Sequence, residues 1–191
     1  MNGLFVKSIL YAYPNLEEVC LQIDDLVLKR ALASINDTSP ALSQYEKIIN
    51  YTEQKKVIFH LSIVCDKILS GFSKEDLDML DYKYFHKKDK EYFKDFDYLS
   101  RSYFRKQIKV VDTFSCELEK YGITDSWYIK NCLPINFFKE LLYRVKEREE
   151  LSLKNKGKTK SPALSETSCK MYNQSHPTIK SSVQEKSQII A

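Results

Sequence analysis

Apolar residues recur every three or four positions along most of the chain, and this spacing constrains the fold more than any other feature of the sequence. A period of 3.6 residues places such side chains on one face of an α-helix. The clearest run is Leu16, Val19, Cys20, Ile23, Leu26 and Val27. Only 4 Gly and 5 Pro are present, too few for the tight turns of a β-sandwich or barrel. The sequence therefore predicts an all-α protein.

Residues 1–71 are expected to form an N-terminal helical hairpin region. One helix should run from Pro14 to Ala33, since proline fits the first helical turn. After the polar segment 34–39, a long helix is expected from Pro40 to Ser70, although its polar middle at 52–56 leaves a break open. The apolar residues at helical spacing in this helix are Leu42, Tyr45, Ile48, Ile49, Phe59, Ile63, Val64 and Ile68. We interpret the hairpin as a scaffold or a dimerisation surface.

The pattern of residues 72–150 predicts a helix-turn-helix-like region with C-terminal helices. Ser73 is a suitable N-cap for a leading helix, because its hydroxyl can accept a bond from a free backbone N–H group. A short helix from Glu91 to Phe96 is expected next, followed by a turn at Asp97–Ser100. A long helix should then run from Arg101 to Tyr121.

Short C-terminal helices complete the predicted fold. Gly122 should end the long helix, because glycine accepts a left-handed backbone conformation. Thr124 or Asp125 should cap one short helix, and Asn136 should begin the last. The pattern stops near Leu151, and residues 151–191 have the polar, lysine-rich composition of a disordered basic tail.

The net charge of +4 is unevenly distributed. Residues 83–109 and 151–191 each carry a net charge of +5, whereas residues 1–82 carry −4 and residues 110–150 carry −2. The first basic block therefore coincides with the helix-turn-helix-like region, and clustered basic charge is typical of contact with nucleic acid.

Several classes of function lack their sequence signals. No glycine-rich phosphate loop or nucleophile elbow occurs, and the 5 Cys and 3 His form no metal-binding or catalytic cluster. Reduced core thiols are expected instead. The N-terminus does not have the form of a signal peptide, and no apolar run approaches the ~18 residues of a membrane span. We expect a cytoplasmic, non-enzymatic protein with no cofactor, metal, membrane association or small-molecule substrate.

The helix from Arg101 to Tyr121 concentrates basic residues in its first three turns. It is expected to bury one side made of Phe104, Ile108, Val111 and Leu118. Arginine suits base recognition because its planar guanidinium can pair with two acceptors of guanine, and 2 of the 5 Arg in the chain lie here. The candidate DNA-contacting residues are Lys87, Lys88, Lys90, Ser100, Arg101, Ser102, Tyr103, Arg105, Lys106 and Lys109. A charged helix on the surface of a plain bundle is the alternative interpretation.

Three segments carry a resemblance to a known family. They are LDMLDYKYF at 77–85, EYF at 91–93 and LSRSYFR at 99–105. Their order resembles the helix-turn-helix of sigma-factor region four and of small phage transcriptional regulators of the ArpU and RinA type. The resemblance covers about 50 residues, and it implies that residues 100–109 face DNA, as in recognition helices generally.

We therefore expect a DNA-binding transcriptional regulator of phage or mobile-element type, with double-stranded DNA as its partner. RNA polymerase or a second copy of the chain would then contact the hairpin. The alternative is a non-enzymatic helical adaptor or scaffold that binds another protein through the hairpin. The two functions differ in the exposure of Arg101, Arg105, Lys106 and Lys109. DNA binding requires that these side chains are exposed together on one face of the helix.

Overall fold

The computed structural model describes residues 1–33, 41–85 and 101–155, and the regular structure within these ranges is helical throughout. This confirms the predicted all-α class. The helices are α1 (Gly3–Ala12), α2 (Leu16–Ala33), α3 (Ala41–Leu69), α4 (Lys74–Leu80), α5 (Arg101–Lys120), α6 (Asp125–Asn131) and α7 (Asn136–Asn155). A 3-10 turn at Tyr13–Asn15 and a π-helical turn at Asp81–Phe85 follow α1 and α4.

The predicted helix-capping residues are confirmed in α4, α5 and α6. The hydroxyl of Ser73 accepts a hydrogen bond from the backbone N–H of Asp76 at 3.3 Å. Thr124 accepts one from the backbone N–H of Trp127 at 3.2 Å. Gly122, two residues after the last residue of α5, has a φ of +80°. Each cap satisfies backbone groups that have no partner within the helix.

The expected long helix is confirmed as α3, and the predicted end of α7 needs correction. α3 runs from Ala41 to Leu69 without a break, because its polar middle is still made of residues compatible with a helix. α7 continues to Asn155, past the predicted end at Leu151. The expected short helix and turn at 91–100, and the tail beyond 155, lie outside the described residues.

Helix α1 forms the centre of the hydrophobic core. Its residues Val6, Ile9 and Leu10 are completely buried, and the helix contacts α5, α7 and the π-helical turn. Ser8 shares a buried hydrogen bond of 2.7 Å with the hydroxyl of Tyr128 in α6. Burial of three aliphatic side chains stabilises the fold by roughly 5–9 kcal/mol.

Helices α2 and α3 pack against each other in opposite directions. The ammonium of Lys55 lies 2.7 Å from Asp24, and the hydroxyl of Tyr13 donates to Asp66 at 2.7 Å. Of these two contacts, the one that lies further along α3 reaches the residue that lies earlier in the preceding segment. The two helices are therefore antiparallel. Residues 34–40, which would connect the two helices, are outside the described ranges, so the hairpin itself stays a prediction.

The helices before and after residue 71 share one hydrophobic core. Lys7 in α1 forms an ion pair of 2.8 Å with Glu149 in α7, and Asn2 donates its backbone N–H to Asp125 at 2.6 Å. The chain divides instead into the units Met1–Lys160 and Ser161–Ala191, and the described residues all belong to the first.

The cysteines only partly match the expected reduced core thiols. Cys20, Cys65 and Cys132 are free and buried, and burial raises the pKa of the Cys132 thiol to about 12. Cys116 is only half-buried, so it is not a core residue. None of the helices in the described ranges is long and apolar enough to cross a membrane.

Replacement of Gly122 by alanine should destabilise the protein by about 1 kcal/mol, because only glycine adopts a positive φ without steric cost. An added Cβ at Gly122 meets no atom within 4 Å, so the effect comes from the backbone alone. Urea denaturation measures the change. Gly71→Ala is the control, since its φ is not positive and its added Cβ makes an ordinary 3.5 Å contact with the Ile68 carbonyl oxygen. Equal effects of the two substitutions would contradict the assigned role of Gly122.

Candidate nucleic-acid interface

Helix α5 buries a side that begins at Tyr103. Tyr103 is only 7% exposed and makes an edge-to-face contact with Tyr82, with 6.3 Å between the ring centroids. The same side of α5 continues through Gln107, Val110, Phe114 and Leu118, which are all buried. Their spacing of three and four residues fixes the rotation of α5 about its axis.

This rotation corrects two predictions about α5. Phe104 and Ile108 were expected in the buried side but are 52% and 58% exposed, whereas Val111 and Leu118 are buried as expected. Tyr103 was expected to contact DNA, and its burial makes that assignment wrong. Burial also raises the pKa of the Tyr103 hydroxyl to about 12. The apolar residues of α5 span an arc of roughly 160°, wider than the part that packs on the core, so the sequence alone did not define which part is buried.

The opposite side of α5 carries three of the predicted residues. Ser102, Arg105 and Lys109 are all exposed. Arg105 and Lys109 are one helical turn apart, so their side chains lie one above the other on the same face. Phe104 and Ile108 flank this pair, and the outer face is therefore basic with two apolar residues beside it. The outward position of these two residues was not predicted from the apolar spacing.

Lys106 lies at the edge of the outer face and forms an ion pair with Glu75 in α4. The Lys106 ammonium donates to the carboxylate and holds the pKa of Glu75 below its usual value. The side chain of Glu75 is 78% exposed and that of Lys106 is 38% exposed. Water therefore screens this pair, and another anion can compete for Lys106 at little cost.

The remaining predicted contacts fall outside the part that can be described. Lys87, Lys88, Lys90 and Ser100 are not among the described residues. Arg101 is the first residue of α5, and only its backbone is described. The described outer face therefore consists of Ser102, Phe104, Arg105, Ile108 and Lys109, with Lys106 at its edge.

An open groove elsewhere on the protein has the opposite electrostatic character. It has a volume of about 420 Å³ and lies between the end of α3 and α4. Three carboxylates, from Asp66, Asp78 and Asp81, line it together with apolar residues. Such a surface repels phosphate, so it is unsuited to nucleic acid. No cluster of three His, Cys, Asp or Glu side chains in the described ranges has the geometry of a metal site.

Comparisons of the chain with protein-family models, with curated proteins and with solved structures give no match. The resemblance to sigma-factor region four therefore rests on the sequence segments that carry it. The candidate interface is defined by its own geometry, which is a basic outer face on the first half of an amphipathic helix.

Replacement of Lys106 by methionine should raise the pKa of Glu75 toward its usual value, because the neighbouring cation is lost. A carboxyl-selective NMR titration measures the shift. A lowered pKa in the folded protein means that the pair stabilises the fold above the usual carboxyl pKa. That contribution is lost as pH falls through the lowered value. Lys109→Met is the control and should leave Glu75 unchanged. An unaltered Glu75 pKa in Lys106→Met would contradict the pairing.

Proposed function

We propose that the chain is a DNA-binding transcriptional regulator that reads the major groove with the first half of α5. The observation that carries the proposal is the joint exposure of Arg105 and Lys109 on the side of α5 opposite the buried Tyr103. A recognition helix requires such an arrangement, because one side must anchor it to the domain while the other enters the groove.

The residue types on the outer face fit this role. Arg105 can pair bidentately with guanine, and Lys109 and Ser102 can bind phosphate oxygens. Phe104 and Ile108 are placed to contact thymine methyl groups, the apolar feature of the major groove. The proposed contacts thus combine base readout with positioning on the sugar-phosphate backbone.

Charge distribution supports the same face. The segment 83–109, which ends within α5, carries a net charge of +5. Lys106 would exchange its carboxylate partner for a phosphate, since its pair with Glu75 is exposed and weak. Arg101, at the helix start, and the predicted contacts Lys87, Lys88, Lys90 and Ser100 would extend the surface along the same DNA backbone. A cytoplasmic location follows from this function.

Fluorescence anisotropy with duplex DNA, measured across a salt series, tests the proposal. A pool of random-sequence duplexes reports non-specific binding, and selection from that pool supplies a preferred sequence. Arg105→Ala should weaken binding to the preferred sequence by about 1–3 kcal/mol, because one bidentate base contact is lost. Lys109→Ala should weaken all sequences alike and make the salt slope shallower by about one unit.

Arg144→Ala is the matched control for these variants. Arg144 is exposed on α7, where it faces Glu140 of its own helix at 3.9 Å, and the proposal gives it no contact with DNA. Its loss should leave affinity and salt slope unchanged. The proposal fails if the wild-type chain shows no salt-dependent binding to duplex DNA. Equal losses in Arg105→Ala and Arg144→Ala would place the binding site elsewhere.

A non-enzymatic helical adaptor is the second candidate function, and a different observation favours it. Large apolar side chains of α3, including Leu42, Tyr45 and Ile49, are more than half exposed. Exposed apolar surface of this kind is typical of protein contacts. An adaptor would bind no DNA, and the Arg105 and Lys109 variants would then bind its protein partner as tightly as the wild type.

A further inference from the structure

Helix α3 carries apolar residues on two opposite sides. Its buried side includes Ile58, Leu61 and Cys65, which are fully enclosed. Its outer side presents a second series, with exposed fractions of 37–70%, formed by Leu42, Tyr45, Ile49, Phe59 and Ile63. Leu42, Tyr45 and Ile49, and then Phe59 and Ile63, follow the steps of three and four residues of a helix-packing seam. Thr52 and Lys56 occupy the two seam positions between these groups. The series extends for roughly 30 Å along the helix.

Helix α2 presents a matching series on its outer side. Leu21, Leu28 and Leu32 are 63%, 58% and 56% exposed, although leucine is among the residues most often buried. Steps of seven and four residues place these three on one face. The buried residues of the same helix, such as Cys20 and Ile23, lie on a different face.

The two exposed series lie on the same side of the α2–α3 pair. Around each helix axis, the residue that forms the Asp24–Lys55 ion pair lies between the buried residues and the exposed series. That ion pair bridges the two helices on one side only. Both exposed series therefore belong to the side that carries the ion pair, and we call this side the α2–α3 face.

The charges on or beside the α2–α3 face are segregated between the two halves of α3, whereas Lys47 of the first half lies on a different side of the helix. Glu46 and Glu53 lie in the first half at the edge of the α2–α3 face, and Lys56 and Lys67 lie in the second half. The other second-half carboxylate, Asp66, accepts a hydrogen bond from the Tyr13 hydroxyl. An approaching helix with the same segregation is complementary only if it runs in the opposite direction.

We propose that the α2–α3 face binds the same face of a second copy of this chain, with the two α3 helices antiparallel. Ile49 then meets the partner's Phe59, and Tyr45 meets the partner's Ile63. Glu53 approaches the partner's Lys56 near the two-fold axis, and Glu46 lies toward the partner's Lys67. In a parallel arrangement, Lys56 would instead face Lys56 of the partner subunit within the apolar seam, which is unfavourable.

The size of the face fits an isologous dimer. One side of two helices of 18 and 29 residues supplies it. That side holds about 20 residues, the lower end of the 20–30 residues per partner of a stable interface. A two-fold contact uses the same patch twice, so one chain with eight exposed apolar side chains supplies both halves. The assembled face forms a four-helix packing of two antiparallel pairs, a geometry that short apolar seams favour.

Sedimentation velocity of the full chain, over a concentration series without DNA, tests the inference. The wild type should sediment as a dimer at micromolar concentration. Ile49→Glu should raise the dimer dissociation constant at least about a hundredfold, because it buries an unpaired charge in each copy of the interface. Circular dichroism and thermal denaturation verify that the variant remains folded.

Ile129→Glu is the matched control, since Ile129 is 51% exposed on α6 while Ile49 is 57% exposed. It should leave the dimer unchanged. A wild type that stays monomeric throughout the concentration series overturns the inference, and the α2–α3 face would then suit a different protein. The same conclusion follows if Ile49→Glu and Ile129→Glu dimerise equally well.

Charge reversal tests the direction of the helices. Glu46→Lys combined with Glu53→Lys should raise the dissociation constant about tenfold, because like charges then meet across the antiparallel interface. Adding Lys56→Glu and Lys67→Glu should restore it. In a parallel dimer the first pair of substitutions would have no such effect, because like halves already face each other. A dimer unaffected by that pair would therefore overturn the antiparallel arrangement.

This inference is independent of DNA binding. The dimer is measured without DNA, and the anisotropy titration can be repeated with the monomeric Ile49→Glu variant. Loss of dimerisation with intact non-specific DNA binding would separate the two surfaces. A dimer that binds no DNA would refute only the proposed function.

Discussion

The enclosure of α1 is the constraint on which the rest of the fold depends. A ten-residue helix is unstable by itself in water, so α1 persists only because α5 and α7 cover it. Those helices in turn bury their own apolar sides against Val6, Ile9 and Leu10. Rotation of α1 by one residue would bring Lys7 toward the core and break the hydrogen bond between Ser8 and Tyr128. Buried polar groups without partners are costly, and this hydrogen bond therefore helps to fix the register of α1.

Local features of the fold were readable from the sequence because each depends on residues within one helical turn. The Ser73 and Thr124 caps and the glycine at 122 are determined by backbone groups three or four positions away. Helix type and approximate length follow from apolar spacing in the same way. Such signals contain no information about which elements finally pack together, and the central position of α1 was not predicted.

The errors in α5 have a common physical origin. Its apolar residues span a wide arc, so a helical wheel cannot decide between the Phe104 side and the Tyr103 side. The side of α5 that carries Tyr103 packs against Tyr82 and the rest of the core. Phe104 and Ile108 are exposed as a result. Arg105 and Lys109 were correctly predicted to be exposed because charged residues avoid either apolar side. α3 shows a related exception, since Gln44 is buried while Leu42, two residues before it and on the opposite side of the helix, is exposed.

The uneven covering of α3 has a consequence for local unfolding. Its second half, from Ile58 to Leu69, contributes six buried apolar residues to the core, whereas Gln44 is the one buried residue described in its first half. The backbone hydrogen bonds in the second half of α3 are therefore better protected from water by side-chain packing than those in the first half. Amide hydrogen exchange should be fast near residue 45, slow near residue 65, and graded between them. Anything that covers the first half would slow exchange there and flatten this gradient.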